Sequence, residues 1–282
     1  MEAQFIDRFI AGMLEEIKHK RLDLPTLPEV AIKIGETVDD PNSTAAQLAK
    51  VIRIDAALST RLLQAANSPL FRGKDQIDNI KAAITRLGAN QVKTLINSIV
   101  VEQVFQSSGN QEINTILKQQ WLHSMQVAAI SYVFAKRFTR LKPDIAMLAG
   151  LIHDIGALPI LAYAGRFPDL VNNREQLTVI TYRLHTQIGK LVLEGWNFPP
   201  ELIAVAAEHE HYSRKSDPSP DYVDLIMIAN LHTYITKPHP SNMCEWTEIP
   251  AFKALGLTPE ESMSALEEAR AEVQTVLNML KV

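Results

Sequence analysis

Ala146-Met147-Leu148-Ala149-Gly150-Leu151-Ile152-His153-Asp154-Ile155-Gly156 is the stretch on which the reading of this chain turns. Seven small or apolar residues run without interruption and stop at a histidine–aspartate pair. A membrane span needs about 18–20 apolar residues, so this run is too short to be one. It reads instead as an apolar helical segment with a polar pair at its end. Successive residues on a straight helix project about 100° apart. His153 and Asp154 can therefore serve one site only at a helix end or kink, which Gly156 permits.

The dominant period on both sides of this stretch is helical. Phe5, Phe9, Met13 and Ile17 form one apolar stripe at four-residue spacing. Thr44-Ala45-Ala46-Gln47 has the spacing of a capping box. Gly88 follows Leu87 as a C-cap, and Asn90 is expected to cap a helix bearing Val92, Leu95, Ile96, Ile99 and Val100. Thr258-Pro259-Glu260-Glu261 combines an N-cap, a first-position proline and an acidic first turn. The helix it opens is expected to bury Met263, Leu266, Val273, Leu277 and Leu280 on one face. Pro25, Pro28, Pro41 and Asn67-Ser68-Pro69 punctuate the helices. Strict alternation is scarce, so the fold class is all-α, and no solenoid-period repeat is visible.

The chain has 282 residues, 46% hydrophobic and 21% charged, which is ample for a core and too apolar for a disordered chain. The net charge of −4 argues against a nucleic-acid coat or a polybasic membrane binder. One cysteine, Cys244, excludes an intramolecular disulfide and a cysteine-rich zinc site. Acidic residues interrupt the N-terminal segment, which is not expected to be a secretory signal. The expected location is the cytoplasm.

Polar and breaker-rich stretches at Ser107-Ser108-Gly109-Asn110, Ser213 to Pro220 and Lys237 to Pro240 suggest the organisation. Residues 1–108 read as an N-terminal helical half, 109–240 as a second helical half containing His153-Asp154, and 241–282 as a C-terminal helical extension. Charge is uneven. Eight Lys and Arg fall between Lys50 and Lys93, and seven Glu fall between Glu245 and Glu272. Two solvated surfaces explain this pattern, and so does a basic docking face for an acidic partner. Thr44 to Leu63 has the rhythm of a helix-turn-helix, which an ordinary packed helical hairpin explains better in so acidic a chain.

Five of the eight histidines, His123, His153, His185, His209 and His232, lie in or at the ends of apolar helical segments. One alone would be a core residue; several on separate helices, one paired with Asp154, point to a convergent site. Imidazole and carboxylate donors suit Mn, Fe, Ni or Zn, and such an ion can activate water for attack on a phosphoester. Trp121 and Trp196 read as core anchors, and Glu210 and His211 as a polar helix end.

His153-Asp154-Ile155-Gly156, with Ala149-Gly150-Leu151-Ile152 before it, resembles the signature of the HD superfamily of helical phosphohydrolases. The wider chain resembles its HDOD branch, the HD-related output domain of bacterial signalling. Leu24-Pro25-Thr26-Leu27-Pro28, the segment Asp55 to Ser68, and Ile80 to Gly88 are similar to that branch's N-terminal motifs. Trp121-Leu122-His123-Ser124 and Gly195-Trp196-Asn197-Phe198-Pro199 complete the series, in order, over roughly residues 18 to 235. The resemblance implies an HD-like multi-helix fold with an N-terminal helical subdomain.

It also implies a metal-ligand set of His123, His153, Asp154, His185 and His209. The last carboxylate of the HD pattern falls at Asn230, which is an amide. The basic residue that often follows the His-Asp-Ile-Gly string is Ala157, and no Gly-Tyr-Pro string follows His209. The resemblance therefore implies a degenerate site and no confidently assigned catalytic residue. The expected function is a regulatory module that works through signalling proteins, with a nucleotide second messenger as a further ligand, and without DNA or membrane. A metal-dependent phosphohydrolase is the alternative.

Overall fold

The structure, a computed structural model, describes residues 2–22, 24–105, 110–215, 219–235 and 245–281. The expected joins around Ser107 to Gly109 and Lys237 to Pro240, and Cys244, lie outside the described residues. Sixteen α-helices and one short 3₁₀ turn make up the regular structure of the described residues, with no strand among them. The all-α expectation holds.

The first six helices are α1 (Glu2–Lys18), α2 (Glu29–Asp39), α3 (Ala45–Ile52), α4 (Ala56–Asn67), α5 (Ile80–Leu87) and α6 (Ala89–Val104). The Thr44–Gln47 capping box forms at the start of α3. Asp55 caps α4, its carboxylate accepting from the Ala57 and Leu58 amides, and Thr44 to Leu63 forms two helices that each pack on α5. Asn67 at the end of α4 exchanges two hydrogen bonds with the Ile77 backbone and pins the connection to α5. Gly88 closes α5 at φ +82° and also occupies the N-cap position of α6. Asn90, expected as the cap, lies inside the first turn of α6 because only Gly88 separates the two helices. Positive φ strains any residue with a Cβ, which accounts for glycine there.

The next seven are α7 (Gln111–Phe138), α8 (Pro143–Ile152), α9 (Ala157–Ala164), α10 (Pro168–Asn172), α11 (Arg174–Gly195), α12 (Pro200–Glu208) and α13 (Tyr222–Thr233). Helix α7 is the axis of the fold, packing on α8, α13, α9 and the C-terminal helix. Helix α6 packs on α8 and joins the N-terminal helices to this axis. One hydrophobic core runs through both regions. The chain's first helix packs on α11, and its Phe9 forms a ring cluster with Tyr163 of α9 and Phe167 just before α10, with centroids 5.1–5.4 Å apart. Each such ring pair contributes about 0.5–1.5 kcal/mol beyond its buried area. Trp121 and Trp196 are buried, and the Trp196 indole donates to the Pro25 carbonyl at 2.6 Å. Pro143–Ala164 is long and apolar enough to cross a membrane by length and composition, but 89% of an 18-residue window within it is buried in the core.

The C-terminal helices are α14 (Pro250–Leu255), α15 (Pro259–Glu268) and α16 (Arg270–Leu280). The Thr258–Glu261 capping box forms as read. The single helix expected after it is interrupted at buried Ala269. That break separates the faces of α15 and α16, and Met263, expected in the core, is 42% exposed. Leu280 is buried, and Leu266, Val273 and Leu277 pack against the core.

Candidate metal centre

Helix α8 ends at Ile152, and residues 153–156 turn before α9 opens at Ala157. This is the helix break that His153 and Asp154 require to face one site. Two glycines bring the other helices to it. A Cβ on Gly156 would stand 2.0 Å from the His185 carbonyl oxygen, and one on Gly150 would stand 2.5 Å from the Ala128 Cα. Backbone cannot yield at such distances, so glycine is what admits α11 and α7. Helix α7 then supplies His123, α11 supplies His185, and the C-terminus of α12 supplies His209.

All five predicted residues are buried and converge. Nε2 of His123 and Nε2 of His153 are 3.2 Å apart, and Nε2 of His185 and Nε2 of His209 are 3.3 Å apart. Asp154 stands between the pairs. Its Oδ2 is 3.3 Å from His153 Nε2 and 3.5 Å from His123 Nε2. Its Oδ1 is 3.3 Å from His209 Nε2 and 3.4 Å from His185 Nε2. The result is two groups that could each hold a metal ion, His123/His153/Asp154 and Asp154/His185/His209.

Each ring is pinned by its other nitrogen. His153 Nδ1 is 2.7 Å from the Gly150 carbonyl, and His209 Nδ1 is 3.0 Å from that of Val205. His185 Nδ1 lies 3.0–3.1 Å from the carbonyls of Tyr182 and Thr181. A carbonyl only accepts, so these Nδ1 atoms carry the protons. The Thr233 hydroxyl donates to the Asn230 carbonyl, which leaves it to accept from His123 Nδ1 at 3.3 Å. In the neutral rings every Nε2 is then a bare lone pair aimed inward. Two such lone pairs in contact repel unless a cation lies between them. Ligands about 2.0–2.1 Å from one tetrahedral ion stand about 3.3 Å apart, close to the observed spacings. The residues present therefore fit a divalent metal, with an outer shell that sets the tautomer of each ligand.

Burial alone would raise the Asp154 carboxyl, but when the imidazoles of His153, His209 and His185 carry a second proton on Nε2 they outweigh it and hold the group well below the usual carboxylate range. Burial pushes His209 down to about 4, against the pull of Asp154. Burial and the Asp154 charge push Glu210 up to about 9.

A cavity of about 420 Å³ opens onto this centre through His123, Asp154 and His185. Arg174 is the one Lys or Arg among its described lining residues, and Ala157 lines it where the HD pattern often has a base. Several lining residues escaped the reading of the sequence. Gln120 donates to Asp154 Oδ2 at 2.5 Å, and its place three residues before His123, on the same helical face, was the available signal. The Tyr234 hydroxyl is 3.2 Å from His123 Nε2. Glu210, read as a polar helix end, is half-buried with its Oε2 3.9 Å from His185 Nε2. Asn230 is buried, and neither atom of its amide has a hydrogen-bond partner. His232 stands apart from the centre, bonded to Ser262. His19 pairs with Glu15 on the surface.

The chain is similar to a Shewanella amazonensis SB2B protein called "Putative metal-dependent phosphohydrolase", with 29% identity and a TM-score of 0.83 over 98% of this chain and 99% of that one. It shares its fold with a Geobacter sulfurreducens HDOD domain protein of unknown function, at 20% identity and a TM-score of 0.70 over 98% of each chain. An uncharacterized Treponema pallidum (strain Nichols) protein is 22% identical over 226 residues, 74% of this chain. The chain spans 42% of that relative's length. The HDOD domain model matches residues 24–212, from the Leu24-Pro25 motif through the last of the five converging side chains. With its motifs, helical architecture and match all over the same span, the chain belongs to the HDOD family.

Proposed function

We propose that this chain is a signal-transduction module that works by binding, and that its His/Asp centre holds a divalent ion as a structural or ligand-sensing element. The observation that carries this reading is the charge at the centre. Asp154 is the one carboxylate that both imidazole pairs share, and residue 230 is an uncharged amide. Two divalent ions clamping a phosphoester would bring four positive charges, with too few carboxylates to balance them. The donor set of imidazole and carboxylate suits Mn, Fe, Ni or Zn.

The ligands come from α7, the turn after α8, α11 and α12, so an occupant of the cavity biases how four helices pack. A nucleotide second messenger is the ligand class this reading favours, with Arg174 facing its phosphate. Signalling proteins are the expected partners. The basic stretch from Lys50 to Lys93 offers exposed Lys50 and Arg53 beside Ile54, which is 74% exposed. In the Ser213 to Pro220 loop, Arg214 is held by Glu208, Asp221 and Asp224, and residues 216–218 lie outside the described residues.

A second reading, a metal-dependent phosphohydrolase, draws support from the cavity itself, which exposes Asp154, His123 and His185 to a substrate. Assays of Mn²⁺- and Zn²⁺-supplemented protein on a cyclic dinucleotide and on a generic phosphodiester separate the two. The binding module is expected to show no turnover above buffer. Enzyme-like turnover that disappears in Asp154→Ala would establish the hydrolase instead.

A further inference from the structure

The two ends of the Asp154 carboxylate carry the same ligand types at nearly the same spacing, yet different groups approach them. At the His123/His153 end the newcomers are hydrogen-bond donors. The Tyr234 hydroxyl is 3.2 Å from His123 Nε2, its ring stacked on that imidazole at 5.1 Å and 25°. The Gln120 amide donates to Asp154 Oδ2 at 2.5 Å. Both satisfy the acceptors that an ion at this end would need. Near the His185/His209 end stands a further oxygen ligand, the Glu210 carboxyl, 3.9 Å from His185 Nε2. Beyond the imidazoles themselves, no N–H or O–H donor among the described residues bonds to Asp154 Oδ1, His185 Nε2 or His209 Nε2.

We propose that the centre takes a single divalent ion, at the His185/His209 end of Asp154 with Glu210 as the fourth protein ligand, and that Tyr234 and Gln120 close the His123/His153 end to a second. This rests on the reading of the centre as a metal site. Two carboxylates, Asp154 and Glu210, neutralise one divalent ion. Among the described residues, Asp154 is the one carboxylate at ion-pair distance from His153. Glu210 is also a half-buried acid with no Lys or Arg among the described residues at ion-pair distance, so a cation is what would stabilise its charge. His185 and His209 have the inter-nitrogen spacing of two ligands on one tetrahedral ion, and Asp154 Oδ1 lies 3.3–3.4 Å from both.

The test is calorimetric titration of the chelator-stripped full chain with Zn²⁺ and with Mn²⁺, supported by elemental analysis after gel filtration. One ion per chain is expected. Glu210→Gln, nearly the same shape, is expected to weaken binding at least tenfold with an unchanged melting temperature in the metal-free state. His209→Ala is expected to abolish binding, and His123→Ala to leave the affinity within about threefold. Tyr234→Phe is expected to admit a second ion. Two ions in the unmodified chain, unchanged affinity in Glu210→Gln, or loss of binding in Tyr234→Phe would each overturn the proposal. No binding of either metal, or binding undiminished in Asp154→Ala, would instead overturn the metal-centre reading on which it rests.

Discussion

The fold buries histidine in two ways. At the centre, four imidazoles are each pinned through Nδ1 and turn Nε2 toward one carboxylate. His232 on α13 is also buried, but it meets only Ser262, 3.0 Å from its Nε2, with the rings of Phe134 and Trp246 edge-on. The Ser262 hydroxyl donates to the Pro259 carbonyl, so it accepts from His232 Nε2, and His232 Nδ1 is left buried without a partner. With no charge nearby to offset it, burial lowers the His232 pKa to about 4. Burial alone does not make a histidine part of a site. Convergence does, and convergence at this centre depends on backbone that approaches closely enough.

The largest expected effect comes from removing that approach. Gly156→Ala places a methyl 2.0 Å from the His185 carbonyl, so α11 must move away from the turn. A loss of about 3 kcal/mol or more in denaturant unfolding is expected, together with loss of metal binding. Gly195→Ala at the end of the same helix meets nothing within 4 Å and is expected to change stability by less than about 1 kcal/mol. Equal effects for the two variants would show that the centre does not depend on the Gly156 contact.

The lone histidine is expected to reveal itself through pH. The unfolded His232 takes up a proton below about pH 6.5, whereas the folded ring resists until about 4. Its neutral burial therefore favours the fold above pH 6.5, and that contribution is lost as the pH falls from 6.5 to 4, by at most about 3 kcal/mol. Melting curves across this window are expected to fall less steeply for His232→Gln than for the unmodified chain. Parallel curves would mean that His232 is not buried neutral.

Two smaller effects probe the boundary between the two environments. Thr233 follows His232 in sequence but serves His123, accepting from its Nδ1. Removing one such outer contact typically weakens a metal site 10–100-fold. If the single ion lies at the far end of Asp154, Thr233→Val is expected to weaken zinc binding by less than about threefold in calorimetry; a larger loss would draw His123 back into the coordination sphere. Asn230 lies on the same helix with an amide that bonds to nothing. Asn230→Leu is expected to raise stability by about 1 kcal/mol, because a buried unsatisfied polar group is a cost to the fold. A fall in melting temperature would show that the amide has a partner when the protein is metal-loaded.

Much of this molecule was readable in one dimension. Helix periodicity, the Thr44 and Thr258 capping boxes and the glycine after Leu87 rest on local rules, and the structure realises each of them. The order of motifs identified the family, and a pair of adjacent ligands beside a glycine announced a helix break at 153–156. Local rules went wrong where neighbours intervened. Asn90 lost its capping position to Gly88, and Met263 turned outward after the break at Ala269.

The centre shows the same division. The five converging residues were legible because their types and motif positions are in the sequence. The roles of Gln120, Glu210, Thr233 and Tyr234 were not, since each depends on which side chain from another helix lies within about 3–4 Å. Sequence alone determined which residues could act as ligands and that position 230 would lack a charge. Only tertiary structure decided that the two ends of Asp154 differ, because donors and acceptors from four helices are sorted by packing and not by spacing along the chain.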